Sequence, residues 1–382
     1  MEKTFHILMA TELDLKTHGG DITHVREVVS QLSRLKCQIT LTCPKTRHDK
    51  KIPGRLVEIP GFPFRFLYLM SYEALLLGYC LISHLWQKYS AVYVRSELYS
   101  LGAAVFAKLT RRPLIVEFNG CKIHEMRQRT ISPKAIAVVK IVEALLCRWA
   151  DKIVVTAPQL MEILQRQYNV APTNIKYISN GVNITHFRPI STSLADKQPS
   201  KVTVGFIGCL IEWQGLQNLI DAALSLTHRP DIQLTIVGDG PLYPSIQEQV
   251  KQKQLTHQIK MTGRVSHQDI PQWIQGFDIC LIPRNKGIIG MPVKLFEYMA
   301  CAKPVIASRL PGFDFLEQTQ SGMLVEPGNA QALAKAIETL ADAPQLRQTY
   351  GKNGRETAVT HFSWAVTAQA ILSLIQEVKA RH

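Results

Sequence analysis

The apolar runs of this chain come in two series, and the second restarts where the first has finished. HILMA at 6–10, QITLTC at 38–43, AVYVR at 91–95, LIVEF at 114–118, KIVVT at 152–156 and IKYIS at 175–179 are short and separated by longer stretches of helical spacing. Near-continuous apolar runs suit strands covered on both faces, so the alternation predicts a parallel sheet with crossover helices up to about residue 190. Ser191–Ser200 (STSLADKQPS) is polar, holds a proline and lacks periodicity, which marks a linker. KVTVGFIG, IQLTIVG, IKMTG, ICLIP and PVIAS follow, again with helical patterns between them. The expected architecture is two doubly wound α/β domains, 1–190 and 201–361, joined through 191–200. A length of 382 residues accommodates that number of cores.

Composition excludes several classes. A 46% hydrophobic fraction without low-complexity tracts is globular. The eight cysteines form no C-x-x-C pair and no Cys/His cluster, so neither a zinc site nor a disulfide framework is expected, and a reducing compartment fits. Met1–His6 leads straight into the first strand rather than into a long apolar signal region, so a cytoplasmic protein is expected. A net charge of +14 calls for an anionic partner: nucleotide phosphates or a membrane surface. Nucleic acid ranks below these, because no helix-turn-helix, RRM signature or basic-aromatic run stands out. The stretch 61–86 is apolar and long enough to span a bilayer, but Glu73 and His84 lie inside it. It reads as a core helix with an aromatic entrance, and a membrane-interface lip around Phe62–Tyr68 with Arg65 is the alternative.

The segment Gly290–Ser308, GMPVKLFEYMACAKPVIAS, joins a Gly/Pro turn, a short helix and a buried strand. Pro292 suits the first turn of a helix, whose free amides favour an anion in front of them. Lys294 adds a mobile cation. Glu297, about one turn on, offers acceptor lone pairs to vicinal hydroxyls. Phosphate plus sugar diol points to a nucleotide, bound at the carboxyl edge of a doubly wound sheet. The other reading is an amphipathic helix with Lys294 and Glu297 as a solvated pair.

The segment resembles the donor-site signature of the large retaining GT-B glycosyltransferases, the group 1 or family 4 type, E-G-F-G/P-x-x-x-x-E-A-M-A-x-G-x-P-V-I-A-S. GGDITHV at 19–25 is similar to that family's glycine loop, and SNGVN at 179–183, with Phe187 and Pro189, to its interdomain motif. VGFIGCLIEWQG at 204–215, VGDGP at 237–241 and GRV at 263–265 follow in the family's order. The resemblance covers nearly the whole chain. It implies a GT-B fold with the active site in the cleft between two Rossmann-like domains, and a last helix within 362–382 that crosses back to the first. It also implies transfer of a hexose, with retention, from a UDP- or GDP-sugar to a glycan or lipid-linked acceptor in surface polysaccharide or glycoconjugate synthesis. Neither metal nor cofactor is implied, and no D-x-D motif appears.

On the donor side the resemblance implies contacts from Gly19, Gly20, Gly208, Gln214, Gly238, Arg264, Val265, Gly290, Met291, Lys294, Leu295 and Glu297. Two departures stand out. Cys209 and Gln214 occupy positions where the family carries Arg and Lys on the donor diphosphate, and Ile289 replaces the first glutamate of the donor motif. The P-x-K-L-F-E-Y-M-A pattern and the Trp213–Gly215 turn resemble one subgroup of the family, in which Lys294 would take over diphosphate neutralisation. On the acceptor side Asn119 stands where the family has a catalytic histidine, with Glu117 two residues before it on the same face of the strand. Glu117, Asn119 and Lys294 are the expected catalytic residues, and His24 and His124 the expected acceptor contacts, Glu125 being a spare. For His24 the other reading is a surface helix residue, and Asp21 would cap that helix. A sugar-nucleotide epimerase of the same fold and a catalytically weak sugar-nucleotide-binding protein are the competing functions.

Overall fold

The computed structural model describes residues 5–15, 19–45, 52–61, 65–123, 126, 131–190 and 201–382. The linker 191–200, His124, Glu125 and residues 62–64 of the aromatic stretch lie outside the described residues. The chain forms two compact units: Met1–Asn180 with Ile289–Met291 and Trp364–His382, and Gly181–Ile288 with Pro292–Ser363. The chain thus changes unit at Asn180 rather than at the polar stretch after residue 190, and its end returns to unit 1.

Unit 1 is built on β1 (His6–Ala10), β2 (Gln38–Pro44), β3 (Arg55–Ile59), β4 (Ala91–Arg95), β5 (Leu114–Phe118), β6 (Lys152–Val155) and β7 (Ile175–Tyr177). Every pair is parallel, in the order β3-β2-β1-β4-β5-β6-β7. The order reverses between β1 and β4, which puts a crevice at their carboxyl ends. The connecting helices are α1 (Gly20–Arg34), α2 (Arg65–Ser83), α3 (Gly102–Leu109), α4 (Pro133–Trp149) and α5 (Pro158–Tyr168). α2, α3, α4 and α5 pack side by side in that order. Ser132 caps α4 by accepting from the Ala135 amide, and Pro133 stands at its first position, where a missing N–H costs nothing. Within the apolar stretch 61–86, α2 buries Tyr72, Leu76 and Cys80 in the core while Met70, Leu75 and Ile82 face out. Among the described residues no helix is long and apolar enough to cross a membrane.

Unit 2 holds β8 (Val202–Ile207), β9 (Ile232–Val237), β10 (Ile259–Gly263), β11 (Ile279–Ile282), β12 (Val305–Ser308) and β13 (Gly322–Val325), again parallel, in the order β10-β9-β8-β11-β12-β13. Its reversal lies between β8 and β11. Around it are α6 (Leu216–Ser225), α7 (Val293–Ala300), α8 (Ala330–Asp342) and α9 (Pro344–His361). The last helix, α10 (Trp364–Arg381), packs on α1 within unit 1. β3 and β13 are strands that the apolar pattern does not predict, and both are sheet edges, where continuous apolar character is not required.

Candidate active site

In unit 1 the carboxyl ends of β4 and β5 and the start of α1 bring charged side chains together, with Arg95, Glu97 and Glu117 buried and Asp21 exposed at the rim. α1 begins at Gly20, so Asp21 sits in its first turn instead of capping it and uses its carboxylate on Arg95, 3.0 Å away. His24, one turn along, is buried rather than a surface residue. Its Nδ1 lies 2.8 Å from Asn180 Oδ1 and its Nε2 lies 2.9 and 3.1 Å from the two Glu117 oxygens. Asn180 donates its amide to the Met291 carbonyl at 3.1 Å, so its oxygen must face the ring. Both ring nitrogens therefore face side-chain oxygens. The edge of Trp364 closes over the ring at 5.3 Å between centroids.

Glu117 is 1% exposed and accepts further bonds from Tyr93 Oη and Asn119 Nδ2, with Arg95 Nε at 3.8 Å. Burial pushes its carboxyl up, but the His24 charge and hydrogen bond, then Arg95 and Tyr93, outweigh burial and bring it down to about 2. Arg95 also pairs with Glu97, which Lys122 reaches at 3.1 Å. Among the described residues of the predicted acceptor group, Asn119 is half-exposed and meets solvent. Gly290 and Met291 also belong to unit 1, where a side chain at Gly290 would meet the Asn119 carbonyl at 3.9 Å. Ile289 packs on the core of this unit. Gly19 is extended and opens α1, with Gly20 its first residue.

In unit 2 three glycine turns close the ends of adjacent strands. The Gly208 amide donates to the Val237 carbonyl at 3.0 Å and the Gly238 amide to the Gly263 carbonyl at 2.9 Å. Gly208 has φ +155, a conformation that favours glycine, and a Cβ there would lie 2.8 Å from Lys294 Nζ and make the tip of that side chain shift. Pro292 occupies the N-cap of α7 rather than its first turn, and Lys294 follows in that first turn. Leu295, Phe296 and Met299 anchor the helix, each buried side chain contributing about 1.5–3 kcal/mol. Tyr298 Oη accepts the Ile207 amide at 2.8 Å, fixing α7 under the end of β8.

Lys294 Nζ donates to Gln214 Oε1 at 2.7 Å and lies 4.0 Å from the centre of the Phe206 ring. Gln214, which stands at the position of one family cation, and Lys294, the expected substitute for that charge, thus form one group. Burial, then the Arg284 charge, bring Lys294 down to about 7, with Glu297 and Cys209 offsetting. Glu297 is buried beside it and is pushed up to about 7 by burial, offset by Lys294. Arg284, which sequence reasoning missed, is brought down to about 10 by burial. It follows β11 at the topological reversal, and the signal was a cation directly after the strand motif ICLIP. Gly215 holds this turn closed: at φ +71, its Cβ would fall 1.5 Å from the Pro283 carbonyl oxygen. Cys209 is the one exposed cysteine, and all eight are free. Arg264 and Val265 continue from β10, with the Arg264 side chain in solvent 3.9 Å from Asp239. Asn180, Tyr93 and Arg95 were also missed. Asn180 lies inside the SNGVN motif, whereas Tyr93 and Arg95 alternate along β4 and carry no motif.

Residues 18–186 match Glycosyltransferase Family 4, and residues 201–343 match Glycosyl transferases group 1. The chain carries these two glycosyltransferase domains. It is similar to an uncharacterised glycosyltransferase of Methanocaldococcus jannaschii, 30% identical over 45% of this chain and 47% of that one, so the match spans about half of that relative. It is similar over nearly its whole length to the alpha-maltose-1-phosphate synthase of Mycolicibacterium smegmatis, 25% identical over 98% of this chain and 99% of that one. The structure of Anabaena HepE in complex with UDP superposes with a TM-score of 0.76 at 19% identity, over 98% of this chain and 100% of that one. The fold is GT-B, two Rossmann-like domains with parallel sheets.

Proposed function

We propose that this chain is a glycosyltransferase that moves a hexose, with retention of configuration and without a metal, from a nucleoside diphosphate sugar to a glycan or lipid-linked acceptor. The observation that carries this reading is Lys294, half-buried in the first turn of α7, held by Gln214 and the Phe206 face beside the Gly208 turn. A cation so placed, with Arg284 near it, neutralises the charge that develops on a departing diphosphate. UDP is a reasonable first nucleotide to try, since HepE binds it in the same fold, and GDP the second. In unit 1 the half-exposed Asn119 is the acceptor contact. Glu117 lies behind it and orients its amide. A role in surface polysaccharide or glycoconjugate synthesis, at the cytoplasmic face of a membrane, belongs to the same proposal.

Incubation with UDP- and GDP-sugars in the presence of glycan and lipid-linked acceptors tests this. Nucleotide release and an α-anomeric product from an α-donor, unaffected by a chelator, are expected. Failure to bind any nucleoside diphosphate would end the reading. An inverted product would remove the retaining step alone, and a sugar nucleotide epimerised without transfer would replace the transferase with an epimerase.

A further inference from the structure

Among the described residues thirteen large apolar side chains are exposed, and ten of them lie between residues 70 and 141, on or beside α2, α3 and α4. Unit 2 contributes Leu224 alone. The densest part is where α2 and α3 end. The turn after α2 presents Leu85 and Trp86, 77% and 67% exposed, and the last residue of α3 is Leu109, 65% exposed. Arg112 Nη2 reaches His84 Nε2 at 3.5 Å, and the His84 ring meets Phe106 at 5.3 Å, so the two helix ends are neighbours. Lys88, Lys108 and Arg111 are exposed beside these apolar residues. Residues 74–96 and 98–116 hold no Asp or Glu. Asp151, just before β6, accepts from the Leu114 amide and faces His382 at 3.3 Å.

We infer that this surface, formed by the ends of α2 and α3, docks unit 1 on an anionic lipid bilayer. The inference rests on the proposed working place at a membrane and moves the contact from the aromatic stretch Phe62–Tyr68 to the opposite end of α2. The helix ends lie at the amino edge of β4 and β5, which begin at Ala91 and Leu114. Asp21, Arg95 and Glu117 sit at the carboxyl edge, so docking leaves that edge open. Leu85, Leu109 and the indole of Trp86 enter the headgroup boundary, while Lys88, Lys108 and Arg111 meet lipid phosphates. A second copy of the chain fits poorly, because a two-fold contact through this patch would set the cation clusters against each other.

Flotation with phosphatidylcholine vesicles, with and without phosphatidylglycerol, tests the surface. The wild type is expected to bind the anionic vesicles, to ignore neutral ones and to be released by salt. Leu85→Ser with Trp86→Ser, and Lys108→Glu with Arg111→Glu, should each bind at least about tenfold more weakly, with melting temperature and nucleoside diphosphate affinity unchanged. Emission from Trp86, isolated by difference against Trp86→Phe, should shift to the blue on binding. Wild-type affinity in both double variants would overturn the surface while leaving membrane attachment in place. No vesicle binding by the wild type would overturn the surface and the membrane working place together, leaving sugar transfer untouched. A dimer that Leu85→Ser with Trp86→Ser dissolves, without any vesicle binding, would assign the patch to a second copy and also overturn the inference.

Discussion

The carboxyl edges of the two units both bury charge, and they resolve it in opposite ways. In unit 1 Asp21, Glu97 and Glu117 are met by Arg95, Lys122 and His24, and Glu117 is brought down to about 2 because, despite burial, the counter-charges are already in place. In unit 2 burial brings Lys294 down to about 7 and Arg284 to about 10, Glu297 offsets only part of the shift at Lys294, and Glu297 is itself pushed up to about 7. A closed cluster stabilises a fold. A cation whose charge burial opposes, as at Lys294, gains when an anion arrives, which is the property a diphosphate site needs.

The largest expected effect breaks the closed cluster. Glu117→Ala leaves His24 and Arg95 buried without their shared partner and should cost about 3–5 kcal/mol of stability. A clear fall in melting temperature checks this, and an unchanged one would show that unit 1 does not depend on the pair. The acid limb has a definite sign: a carboxyl held at about 2 against an ordinary 4.5 contributes stability that is fully present above about pH 4.5 and lost as pH falls toward 2. Glu117→Ala should therefore lose most of the wild type's extra acid sensitivity in that window.

The next effect is in unit 2 and should leave the fold alone. Lys294→Met removes the ammonium but keeps most of the stem over Phe206, so nucleoside diphosphate affinity and turnover should fall by about 1.5–3 kcal/mol, the value of one charge-assisted hydrogen bond. Thermal stability should hold or rise, because a half-buried cation with a lowered pKa costs folding energy below that pKa. Wild-type affinity in this variant would remove Lys294 from the diphosphate site. A matched loss of stability would make the two edges alike.

The contrast between the edges was only partly legible in the sequence. Interior strands such as β5 and β12 announce themselves as apolar runs because they are covered on both faces. β3, with Arg55 and Glu58, was missed because an edge strand does not need continuous apolar character, and β13, the other missed strand, is likewise a sheet edge. Lys294 and Gln214 were legible because each sits in a motif, although nothing in their spacing of eighty positions says that they touch. Arg95, Asn180 and Arg284 act through contacts that only the sheet order creates, and Arg284 becomes meaningful once β8 and β11 are known to flank the reversal. The closed nature of the unit 1 cluster was hidden for the same reason: His24, Glu117 and Asn180 are widely separated in sequence, and burial cannot be read from a helix whose glycine loop suggests an open site.

The smallest effect sharpens the comparison through protons. With Lys294 at about 7, part of the ligand-free protein carries a neutral amine near neutral pH, and a bound diphosphate restores the ammonium. Binding should therefore take up a proton, and affinity should fall as pH rises above about 7, by no more than about tenfold per pH unit for one linked proton. Titration calorimetry in buffers of different ionisation enthalpy reads the uptake directly. The ionised Glu297 favours the Lys294 ammonium, so Glu297→Gln should let the amine lose its proton more easily and move the start of the fall to lower pH. Binding without proton uptake between about pH 7 and pH 8 would mean that Lys294 is already fully charged before the ligand comes. In that case the positive charge of unit 2 would be as well satisfied as that of unit 1, and the difference between the two edges would lie in exposure alone.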